Sequence, residues 1–170
     1  MTNYWPIVIG VIVVIGASAV AHFLNRHLFS FQRQAEEEVR RRCLDRPRLE
    51  IGMFLENSGV QEGDRDTVAV YLSGIANVIK VPPETLRPED CLGELCRVQF
   101  PRKTHKPRKN TPDFLIAFSD ELLDYFMETL DEDRWVRFLE TVGVESFSED
   151  AILDAILKQP LSNVLRSMVK

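Results

Sequence analysis

The sequence predicts a mostly α-helical protein: an N-terminal single transmembrane helix, then a compact helical domain with a short β-hairpin inserted. Three observations lead there. The run Tyr4–Leu24 carries no charged side chain and has the roughly 20-residue length that crosses a bilayer as a helix. Downstream, apolar residues recur mainly at the three- and four-residue spacing of helices. One short segment, Cys96–Phe100, alternates Val98 and Phe100 with polar residues instead, as a strand does. The 170 residues suffice for one ordinary domain, or a small domain with an anchor. The expected division is an anchor over residues 1–28, a charged juxtamembrane helix or stalk over 29–58, and a helical domain over 59–170.

In the anchor, Tyr4 and Trp5 sit where an interfacial aromatic belt forms, and Pro6 suits a first helical turn. A cleaved signal peptide is the competing reading, since Ala17-Ser18-Ala19 fits a cleavage pattern. Its basic leader is missing: residues 1–6 hold no Lys or Arg. Arg26, Arg33, Arg40, Arg41 and Arg42 all follow the span. The positive-inside rule then puts the N-terminus outside and the domain in the cytoplasm, at the cell membrane.

In the stalk, Glu36, Glu37 and Glu38 stand four residues before Arg40, Arg41 and Arg42, the favourable order for ion pairs on a solvated helix. Arg46-Pro47 ends that helix. Next comes a stripe of Val68, Tyr71, Leu72, Ile75, Val78 and Ile79, capped by Asp66 and stopped by Pro82-Pro83. Gly74 on this helix allows a close neighbour. Cys96–Phe100 reads as a short strand, and Asp113–Phe118 as a second strand or the entry to a helix. Ser119 opens a helix with Leu122, Leu123, Phe126, Met127 and Leu130 inward; Trp135, Phe138, Leu139 and Val142 form the next stripe, ending at Gly143. Ser148 starts another helix, Pro160 breaks it, and Leu161, Val164, Leu165 and Met168 complete the pattern.

Composition narrows function. A net charge of −5 argues against general nucleic-acid binding. Three cysteines, Cys43, Cys91 and Cys96, make a poor disulfide framework and fit a reducing compartment. There is no Gly-rich phosphate loop, H-E-x-x-H or G-x-S-x-G, so no catalytic centre, metal or cofactor is expected. His105 with Cys91 or Cys96 would be the one conceivable nucleophile pair, but it lies inside a Lys/Arg run without an orienting partner. That run is the partner-binding candidate: Arg102, Lys103, His105, Lys106, Arg108 and Lys109, kept out of helix by Pro101, Pro107 and Pro112. Its expected target is an acidic protein surface or anionic lipid. Nucleic acid would want aromatic or groove-entering elements beside the charge.

The stretch "YLSGIANVIKVPPETLRPEDCLGEL", running into Cys96, resembles the first helix and loop of acyl-carrier-like domains. Ile79 to Val81, Glu84, Leu86, Glu89-Asp90 and Leu92-Gly93 follow that family's pattern. The resemblance implies a phosphopantetheine-bearing serine three residues after the glycine, with an aspartate before it. Cys96 and Leu95 stand there instead. A physical reading covers the same residues: Leu86 and Leu92 plug the loop, the prolines stop the helix, and Glu84, Glu89 and Asp90 keep the turn soluble. The expectation is a membrane-anchored cytoplasmic protein-interaction module, such as an adaptor, a regulator or an immunity-like inhibitor binder, rather than an enzyme. A degenerate acyl-carrier-like component and a subunit of a membrane-associated enzyme are the alternatives.

Overall fold

The structure is a computed structural model and describes residues 31–99, 114–144, 146 and 148–169. The chain divides into two compact units, Met1–Gln34 and Ala35–Lys170. The expected anchor at Tyr4–Leu24 lies outside the described residues. Among those described, no helix is long and apolar enough to cross a membrane.

Residues 31–44 are helical (α1). In chain order follow α2 (Ile51–Asn57), a 3₁₀ turn (Glu62–Asp64), α3 (Arg65–Val78), a second 3₁₀ turn (Pro83–Thr85) and α4 (Leu92–Leu95). Then come β1 (Arg97–Gln99), β2 (Phe114–Ile116), α5 (Ser119–Thr129), α6 (Glu132–Val142), α7 (Glu149–Lys158) and α8 (Leu161–Met168). The mostly helical class and the hairpin are thus both present. α3 is central and packs against α2, α5 and α8; α4 lies on α7, and α6 on α7 and α8.

The charged helix α1 lies in the stretch expected as a juxtamembrane helix or stalk, and it packs by one face. Ala35, Val39 and Cys43 recur every four residues and are buried in the main core. The compact unit begins at Ala35, well before residue 59. Of the expected i,i+4 ion pairs, Glu38 with Arg42 is present. Glu38 lies 2.9 Å from Arg41, one position nearer than expected, and 3.9 Å from Arg42. Glu36 reaches across to Lys80 at 3.1 Å. That pairing follows from the burial: a helix docked along one face turns its flanking charges toward the neighbouring elements.

The stop of α3 comes before the prolines. Lys80 adopts a left-handed φ of 57°. The Val81 N–H donates to the Ala76 carbonyl at 2.9 Å and the Lys80 N–H to that of Asn77 at 3.1 Å, the two bonds of a Schellman motif. A lysine fills the position that glycine usually takes, at a conformational cost. Offsetting contacts hold its ammonium, which pairs with Glu36 and lies 5.4 Å from the Phe118 ring centroid. Gly143 closes α6 with the same bonding pattern at φ 77°.

Two helix starts shift as well. α3 begins at Arg65 behind the 3₁₀ turn, not behind an Asp66 cap. Ser119 is the first residue of α5, and its cap position is Phe118 in the left-handed region. Asp131 and Ser148 do cap α6 and α7, accepting from the N–H groups of Arg134 and Ala151. Of the α5 stripe, Met127 is exposed while Leu122, Leu123, Phe126 and Leu130 are buried. The α8 stripe of Leu161, Val164, Leu165 and Met168 is wholly buried.

Gly74 has the close neighbour its smallness allows. A Cβ there would run into the Tyr125 phenol, whose hydroxyl donates to the Tyr71 carbonyl at 3.3 Å.

Candidate functional site

β1 and β2 pair antiparallel in the register Arg97↔Ile116, Val98↔Leu115 and Gln99↔Phe114. The Ala117 N–H extends the ladder to the Cys96 carbonyl at 2.9 Å. Strand character suits these residues because Val98 and Ile116 pack against the core. Arg102, Lys103, His105, Lys106, Arg108 and Lys109 fall between the strands, outside the described residues. What the fold fixes is where that segment leaves and re-enters the domain: at Gln99 and Phe114, partners in the ladder.

The base of the hairpin is tied to α1. The Arg42 guanidinium donates to the Leu95 carbonyl at 3.3 Å and to the Arg97 carbonyl at 2.8 Å. Those carbonyls flank Cys96, so the root of the ribbon is latched to the first helix of the compact unit.

Charge is strongly segregated along the chain. Residues 97–109 hold six Lys/Arg and no Asp/Glu, whereas residues 119–154 hold twelve Asp/Glu against two Lys/Arg.

A groove of about 280 Å³ opens beside the hairpin base, between α4 and α7. Cys91, Glu94, Arg97, Ile116, Asp154 and Lys158 line it. Its charged rim is exposed and of both signs, and Asp154 and Lys158 pair with each other at 2.5 Å. Among the described residues, no group of three or more His, Cys, Asp or Glu could hold a metal ion.

The connector from Val81 to Cys96 is a splice between elements. Asp90 binds Arg46 through both carboxylate oxygens, at 2.9 and 2.7 Å, and accepts the Arg87 N–H at 2.8 Å. Its carbonyl and that of Pro88 accept the first two amides of α8, from Leu161 at 2.7 Å and Ser162 at 2.9 Å. Such amides have no partner within their own helix, so the connector acts as the cap of α8. The Glu84 carbonyl accepts the Leu49 N–H at 2.7 Å, and the Arg87 guanidinium reaches the Pro47 carbonyl. Asp90 is therefore a structural anchor and not a solubilising residue. Leu86 and Leu92 are the buried plugs their pattern predicts.

The cysteines rank clearly. Cys43 and Cys96 are fully buried. Burial pushes the Cys96 thiol up to about 12, with smaller influences from Cys43, which raises it, and Arg42, which lowers it. In this packing the Cys96 thiol is held protonated and out of solvent. Cys91 is partly exposed and its thiol contacts the Lys158 carbonyl at 3.7 Å. Its pKa is also raised, by burial first and then by Glu94 and Asp90. In the folded chain a water-soluble maleimide should modify Cys91 well before the other two, read by intact mass in wild type and Cys91→Ser. Equal rates at Cys91 and Cys96 would contradict this packing.

No protein-family model, no curated protein and no solved structure matches this chain.

Proposed function

We propose that the chain is a single-pass membrane protein whose cytoplasmic helical domain is a protein-interaction module, an adaptor, regulator or inhibitor binder, presenting a basic segment on a β-hairpin to an acidic partner protein. The observation that carries this reading is the pairing of Gln99 with Phe114, which brackets the segment from Arg102 to Lys109 on a ribbon rooted in the core. The uncharged span Tyr4–Leu24 and the arginines that follow it support the anchor and its orientation. A segment leaving and re-entering the domain at paired strand ends loses less freedom on binding than a free tail does, which favours affinity.

Anionic lipid is the second reading. A tethered basic segment works close to the headgroups, where each Lys or Arg contributes about 1 kcal/mol.

The test is co-purification of the full chain from mild detergent at low salt. The comparison is a variant with Arg102, Lys103, Lys106, Arg108 and Lys109 all changed to Gln. The expected result is a stoichiometric protein partner with wild type, depleted at least roughly tenfold with the variant, a loss of about 1.4 kcal/mol or more. Recovery of wild type alone, or equal partner yields from both, would overturn the proposal. Variant-sensitive binding to anionic vesicles without a protein partner would transfer the segment's role to lipid.

A further inference from the structure

We draw no further inference here: the strongest candidate, the groove between α4, α7 and the base of the β1–β2 hairpin, belongs to the site already described, its exposed rim carries charges of both signs, and nothing in the structure shows what covers it.

Discussion

Truncating Phe126 to alanine should lower folding stability by about 3–5 kcal/mol, the range for deleting a fully buried phenylalanine. Phe126 has no exposed surface. Its ring stacks on Phe138 at 5.6 Å between centroids and meets Tyr125 edge-on at 5.7 Å. Phe138 in turn stacks on Trp135 at 5.6 Å. This aromatic run joins α5 to α6, so removing its middle member costs transfer free energy, ring–ring contact and the cavity left behind. Thermal unfolding of the full chain in detergent micelles should show the midpoint falling by roughly 10 °C or more. Phe126→Leu keeps most of the volume and should lose appreciably less. A fall of under about 1 kcal/mol for the alanine variant would mean that the α5–α6 core is not packed as described.

Gly93→Ala tests the α4–α7 contact, and here two effects oppose. Gly93 lies inside α4, where alanine gains about 1 kcal/mol in helix propensity. The added Cβ would sit 2.8 Å from the Leu157 carbonyl oxygen and 3.1 Å from the Leu157 Cβ. Backbone of a neighbouring helix cannot swing aside as a flexible side chain would, so α4 must lift from α7. Overpacking of this kind costs about 1–3 kcal/mol, occasionally more, and a backbone neighbour puts it at the upper end. The clash wins, for a net loss of about 2 kcal/mol in urea unfolding of the full chain. Gly52→Ala supplies the contrast: that glycine is in α2 with nothing within 4 Å of the new Cβ. It should be neutral or stabilising by up to about 1 kcal/mol. Equal effects at the two glycines would contradict the helix contact at Gly93.

The Leu-Gly pair shared with the acyl-carrier pattern thus has a local reason in this fold. Leu92 is a buried plug, and Gly93 is the point where α4 meets the backbone of α7. The turn before it is held by Asp90 through Arg46, and the cysteine in the serine position is sealed in the core. Each of these residues answers to packing within the domain.

Amphipathic helices with strong stripes were readable from sequence, and α8 shows why: each of its four apolar residues is needed on one face. The start at Ser148 and the stop at Gly143 were readable because their chemistry is local. The first strand was readable from alternation; the second, a continuous apolar run that could equally enter a helix, and the register of the pair required the fold. The docking of α1 was not readable. Its buried face consists of Ala35, Val39 and Cys43, three small residues set among seven Glu and Arg between positions 33 and 42. Their four-residue spacing was the available signal, and the charge pattern masked it. The lysine at the Schellman position was also hidden, because its left-handed backbone is supported by Glu36 and Phe118, both distant in sequence. Asp90 read as a surface acid for the same reason: its partner Arg46 lies 44 residues away. Among the site residues, the basic run was legible by composition. Its place between two strand candidates was legible too; their register depended on the ladder, and the groove beside it depended on the approach of α4 to α7.

The proposal turns on a tethered domain that holds its basic segment on the cytoplasmic side. Cys91 offers a single reporter of this, since Cys43 and Cys96 are buried in the folded protein. The decisive measurement is labelling of Cys91 by a membrane-impermeant maleimide, in intact cells and after permeabilisation. The fraction surviving alkaline-carbonate extraction in the membrane pellet is then counted. The account predicts a chain that stays in the pellet and is labelled only after permeabilisation. A chain released by carbonate, or labelled fully in intact cells, would contradict it.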